Sequence, residues 1–270
     1  MALIRPPAVA GMFYPNDAKA LVHEVMAFVN EAARKAKADA GGTPPPAPKA
    51  IIAPHAGYKY SGACAGEAYA RLIPDRDRIS RIVLMGPCHR VAVRGLATTT
   101  ADYWKSPLGA VPIDRDALAG LEDLPQVLAH DGAHAQEHSL EVHVPFLQVC
   151  FPHMKLVPFA VGQASAEEVA QVLDRLWGGE ETRIVISTDL SHFLTYDECN
   201  ALDAETAACV EALDHASIGR EQACGRIPMS GLLHLAKSRQ MGIERVGLCN
   251  SGDTAGDKSR VVGYGSWVLR

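Results

Sequence analysis

This 270-residue sequence lacks most of the signatures that announce a common function. No apolar run approaches the roughly 18 residues a membrane span needs, so no membrane role is expected. The opening segment MALIRPPAVAGMFYP carries prolines and no unbroken apolar stretch, and it does not read as a signal peptide. An excess of positive charge is also missing. The net charge is −5 and the pI about 6.1, which leaves no electrostatic footprint for nucleic acid or an anionic membrane. There is no CxxC. The seven cysteines are odd in number and scattered, the pattern of reduced thiols in a cytoplasmic protein. No GxGxxG follows a strand, and neither GxxxxGK[ST] nor GxSxG occurs, so a nucleotide fold and a serine hydrolase are unsupported. The acidic and histidine-rich EHSLEVH (137–143) has the wrong spacing for a metalloprotease HExxH or its inverse.

What is present is ordinary in bulk. Hydrophobic residues make up 48% and charged residues 21%, and a chain of this length buries a core without disulfides or a structural metal. A single domain over 1–270 is expected. Residues 17–37 read as an amphipathic helix with Leu21, Val25, Phe28 and Val29 at helical spacing, capped by Asn16 or Asp17. The segment 38–48 (ADAGGTPPPAP) reads as a linker, flexible and then stiff. Apolar strands are predicted within 50–58, stopping at Pro54–His55, within 81–89, stopping at Gly86–Pro87, and at 155–162, 183–192 (leading into Asp189 and His192) and 261–269. Helices are predicted at 62–73, 139–151, 165–177, 200–214 and 229–242. This alternation predicts an α/β fold with a mostly buried central sheet flanked by helices.

Three of the strands deliver a histidine at or just past their carboxyl ends: His55, His89 and His192. That edge of an α/β sheet is where ligand sites form. Neutral imidazoles with an anionic partner suit Fe(II), Zn(II) or copper. Any one of these histidines can equally be a hydrogen-bonded structural residue. Asp189 is the nearest anion, as a ligand, as the group fixing an imidazole tautomer, or as a helix N-cap. If EHSLEVH is helical, Glu137 and Glu141 share a face and His138 lies beside Glu141. His138 is then the better candidate for a pocket, and a polar helix start is the plain alternative. Cys224, near a predicted helix start and beside Arg226, has its thiolate favoured there. The competing reading is a buried inert cysteine. The loop 251–260 (SGDTAGDKSR) reads as a turn rather than an anion site.

Taken in order, RPPAVAGMFYP, IIAPHAGYKYSG, GPCH, SPLG, EHSLEVHVPFL, STDLSHF, CGRIP and NSGDTAGDKSRVVGYG resemble the Memo family over essentially the whole chain. The form is similar to the bacterial and archaeal branch, found alongside an AMMECR-type protein and a radical-SAM protein. The resemblance implies a fold of the class III extradiol dioxygenase type. It implies metal ligands His55, His89 and Cys224, and pocket residues Asp189, His192 and His138 in catalytic roles. In a pocket with these histidines, Arg226 and Tyr58 are the candidate contacts for an anionic ligand, an unknown small molecule or peptide. Fe(II) is the leading implied metal, with copper or zinc as alternatives. A thiolate where the dioxygenases use a carboxylate is softer and itself oxidisable, which argues against catechol cleavage. Three functions follow: metal-dependent redox or oxygenase chemistry, a non-catalytic module binding a ligand or phosphotyrosine peptide, and iron or copper handling.

Overall fold

The computed structural model describes residues 2–39, 41 and 46–270, so the expected linker lies partly outside the described residues. β1 (Ile4–Arg5) precedes α1 (Ala18–Asp39), β2 (Ala50–Ala53), α2 (Tyr58–Ala70) and β3 (Arg81–Pro87). Short elements follow: β4 (Leu96–Thr98), β5 (Tyr103–Ser106), β6 (Gly109–Pro112), α3 (Arg115–Ala119), β7 (Val127–Ala129) and α4 (Asp131–Ala135). Next come α5 (His143–Cys150), β8 (Lys155–Val161), α6 (Ala166–Arg175), β9 (Thr182–Ser187), β10 (His192–Leu194) and α7 (Tyr196–Glu211). Then come α8 (Arg226–Ser238), β11 (Ile243–Asn250), α9 (Ser251–Thr254) and β12 (Val261–Leu269).

The main sheet runs β10-β12-β2-β9-β3-β8-β4-β7, with β11 also paired to β12. Its centre, β2-β9-β3-β8, is parallel. These strands are near-continuous apolar runs because helices cover them. Every residue of β2 and β9 is buried, and all of β3 after Arg81. α2 packs on β2, β11 and β12, whereas α8, backed by α6, packs on β3 and β9. α1 lies outside α2, with Leu21, Val25, Val29, Ala32 and Ala36 turned inward. Asp17 caps it by accepting from the Ala20 amide at 2.9 Å. Among the described residues no helix is long and apolar enough to cross a membrane.

The strand order positions the site. β2 and β3 are successive in the chain, yet β9 is inserted between them. Register pairs Ala53 with Ser187, and Met85 with Ile186. The loops leaving β2 and β3 therefore start on either side of the β9 carboxyl end, which opens the crevice where parallel sheets hold ligands.

One sequence expectation is corrected here. The helix predicted from 139 begins only at His143, and 137–142 is loop and turn. The Glu137 carboxylate accepts from the amides of His138 and Ser139, a local arrangement that competes with helix. Glu137 and Glu141 thus share no helix face. The strand from Ala50, expected to stop at Pro54–His55, ends at Ala53, and Tyr58 already opens α2. The short strands β4–β7 and the half-exposed β11 have no clear apolar run or alternation to mark them.

Candidate metal centre

His55 follows β2 by two residues and His89 follows β3 by two. His138 comes in from the 137–142 turn. The three imidazoles offer nitrogens that all lie within 4.8 Å of one another. The turn reaches the sheet because position 86 is glycine. A Cβ there would stand 3.0 Å from both Leu140 Cδ2 and Ser187 Cβ.

Hydrogen bonds fix which nitrogens face inward. The Ser187 hydroxyl donates to the Ser139 carbonyl at 2.6 Å. Its only proton is then committed, so it accepts from His55 Nδ1–H at 2.6 Å and from His143 Nε2–H at 2.9 Å. His143 Nδ1 in turn accepts from Tyr69 Oη at 2.9 Å. His55 is left with its lone pair on Nε2. His89 Nδ1–H donates to Glu137 Oε1 at 2.9 Å, which frees its Nε2 as well. Glu137 also accepts from the His89 amide and is 1% exposed. Burial raises the pKa of this carboxyl, but the hydrogen bond and charge of His89 and the surrounding amides outweigh it, giving about 2. Glu137 is therefore a carboxylate at neutral pH.

Burial, then the neighbouring His89 and His138, hold His55 well below the ordinary imidazole range. His138 is lowered too, chiefly by burial. Both are neutral at pH 7, the form that ligates metal. His138 Nδ1 is a buried atom with no hydrogen-bond partner.

Asp189 sits just past β9, 5% exposed. Its Oδ1 accepts from the His55 amide at 2.8 Å, and its Oδ2 lies 3.8 Å from His55 Nε2. It is not a helix cap; burial raises its pKa. Cys224 closes this side, with Sγ 3.5 Å from His55 Nε2 and accepting from the Asp189 amide at 3.3 Å. Gly225 permits that approach, since a Cβ would collide with the Ser187 carbonyl and the Thr188 side chain. The expectation of a favoured Cys224 thiolate is corrected: burial and the Asp189 charge push the thiol up to about 12. The expected help from a helix start is outweighed by desolvation.

The remaining expected residues are not among the three clustered imidazoles. Arg226 opens α8 and lines a cavity of about 660 Å³ shared with His89 and Cys224. His192 is exposed at the start of β10, and its charge is felt at Asp189. Tyr58 is a correction. It is 2% exposed, its hydroxyl donates to the Val142 carbonyl at 2.9 Å, and its ring packs against Tyr14, Phe28 and Phe146. A substrate contact is closed to it because it belongs to the core. Sequence reading missed Ser187 and the orienting role of Glu137, and set His143 behind His138. Ser187 stood in the same STDLSH motif, but nothing in one dimension marks a serine as a hinge between two histidines.

Fold and centre together define an α/β protein with a histidine-rich, metal-competent site at the carboxyl edge of its parallel strands. The chain belongs to the Memo-like protein family, whose model matches residues 5–268. It is 33% identical to a MEMO1 family protein of Archaeoglobus fulgidus, over 99% of this chain and 100% of that one. It is also 33% identical to one of Aquifex aeolicus, with 97% of each covered. A Thermotoga maritima member is 30% identical over 98% of this chain and 99% of its own. An uncharacterized Escherichia coli K12 protein of solved structure superposes with TM-score 0.49 at 13% identity, over 81% of this chain and 98% of that one.

Proposed function

We propose that this protein is a metal-dependent oxidoreductase with a dioxygenase-like pocket, acting on a small organic substrate, with 1–270 working as one domain. The observation that carries this reading is the pair of imidazoles, His55 and His89, each held by a hydrogen bond at Nδ1 so that Nε2 is free within the three-histidine cluster. Metal-ligating histidines are oriented in this way by their outer partners. His55, His89 and His138 would hold the ion, with Cys224 as a fourth donor. Fe(II) is the metal proposed, which when bound supplies redox chemistry toward a substrate and oxygen.

This chain's own residues supply the rest. Glu137 and Ser187 hold the imidazoles in one tautomer, so no proton has to move from a ligating nitrogen. Asp189, whose raised pKa lies nearer neutrality than an ordinary carboxyl, is placed to accept or return a proton beside His55. His192, exposed at the edge, is proposed as the second proton carrier. Arg226 orients the substrate in the cavity. One observation favours iron or copper handling as a second reading: the Cys224 sulfur beside His55 makes the donor set softer than an oxygenase needs.

The test is elemental analysis after anaerobic purification of wild type, His55→Ala and Cys224→Ala. Near-stoichiometric iron lost in both variants supports the reading and leads to oxygen-consumption screens. Wild type that is metal-free and refuses Fe(II), Cu(I) and Zn(II) overturns it. Tight Cu(I) uptake without turnover moves the assignment to metal handling.

A further inference from the structure

The 660 Å³ cavity beside His89 and Cys224 has a one-signed wall. Three of its lining residues carry full charge, and all three are arginines: Arg94, Arg220 and Arg226. No Asp or Glu lines it. The net charge of the chain is −5, so the local sign runs against the bulk. Among the described residues, Arg5, Arg81, Arg175, Arg183, Arg239 and Arg270 are ion-paired, several of them on the open surface. None of the three cavity arginines makes an ion pair or a side-chain hydrogen bond there. They come from separate places: Arg94 before β4, Arg220 in the segment before α8, and Arg226 at the start of α8. The rest of the wall includes Val91, Val93 and Ile227.

Arg94 and Arg220 are exposed and Arg226 is half-buried, so their mutual repulsion is screened by water, and an anion with no acidic competitor on the wall is attracted by all three. The guanidinium fork matches carboxylate and phosphate oxygens in pairs. A cavity of this volume suits a small organic molecule rather than a bare ion. We infer that the Arg94–Arg220–Arg226 wall is the specificity site for a small substrate with an oxyanion group, carboxylate or phosphate, on an apolar body. Arg94 and Arg220 bind the oxyanion, Val91, Val93 and Ile227 pack the apolar part, and His89 and Cys224 mark the end next to the metal centre. The inference deepens the oxidoreductase reading and rests on it only for which end reacts.

The test is isothermal titration calorimetry of the protein as purified, with phthalate, phenyl phosphate and the neutral analogue benzamide. Wild type is expected to bind at least one of the two anions and not benzamide, with affinity falling as salt rises. Whichever anion binds assigns the oxyanion source. Arg94→Gln/Arg220→Gln is expected to weaken binding at least tenfold with metal content unchanged. Arg34→Gln/Arg78→Gln, at two exposed positions that do not line the cavity, removes the same two charges and is expected to bind as wild type. Matched thermal unfolding verifies that the double variant is folded, and Arg94→Lys/Arg220→Lys is expected to recover part of the affinity. Failure of both anions to bind, or equal affinity in wild type and the Gln double variant, overturns the inference. A wild type that binds an anion but holds and takes up no metal would sink only the oxidoreductase reading.

Discussion

Ser187 has one proton and three polar neighbours. Giving that proton to a carbonyl makes the oxygen an acceptor for two imidazoles at once. Glu137 does the matching task for His89, and its charge gives a direct test. Glu137→Gln removes the charge that four donors surround, and loss of such an orienting group costs about 10–100-fold in metal affinity. That drop is expected for Fe(II) or Zn(II), read by competition with a chromophoric chelator. The same residue shapes acid stability. Its folded pKa of about 2 lies below the ordinary 4.5, so its contribution is present above about 4.5 and is lost as pH falls toward 2. Urea midpoints between pH 2 and 5 are expected to fall steeply in wild type and to flatten in the Gln variant.

Cys224 offers a second test at this scale. As a thiol held up at about 12, it must release its proton to become a ligand. His55 and His138 are already neutral and release none at pH 7. Metal binding at pH 7 is therefore expected to liberate about one proton more in wild type than in Cys224→Ser, measured by calorimetry in buffers of different ionisation enthalpy. No proton release in wild type would show that the sulfur stays outside the coordination sphere.

At the scale of elements, the approach of α8 to β9 is set by Gly225. The atom a new Cβ would meet is the Ser187 carbonyl, and backbone in a buried strand cannot move aside. Gly225→Ala is expected to cost about 1–3 kcal/mol by overpacking and to displace Cys224 from His55. Chemical denaturation and metal content read the two effects separately. α6 provides the contrast. Ser165 and Glu168 form a reciprocal capping box at its start, remote from the centre. Ser165→Ala is expected to cost about 1 kcal/mol with metal content unchanged.

For the whole molecule, the chain before α1 is tied to the turn that carries His138. Glu141 accepts from Arg5 at 2.8 Å, from the Ala8 and Val9 amides at 2.7 and 2.9 Å, and from Tyr14 Oη at 2.7 Å. Arg5 also stacks on Trp104, 4.6 Å from its ring centre. Both partners of the ion pair are buried, so removing one strands the other charge. Arg5→Met is expected to destabilise the protein by about 3–5 kcal/mol, measured by urea unfolding, and to loosen His138 along with it.

Long apolar runs bounded by Gly, Pro and His specify buried strands, and their alternation with amphipathic segments specifies an α/β sheet. A histidine two residues past a buried strand can only lie at the sheet's edge, which is why His55 and His89 were legible. Whether the edges of separate strands meet depends on strand order, and β9 slipping between β2 and β3 is a long-range pairing that no local pattern encodes. Tertiary structure alone therefore decided that His138 joins the cluster from a turn, that Cys224 reaches His55, and that Tyr58 turns into the core. It likewise decided the protonation of Cys224 and Glu137. A pKa answers to burial and to neighbours distant in the chain, and those exist only once the chain has folded.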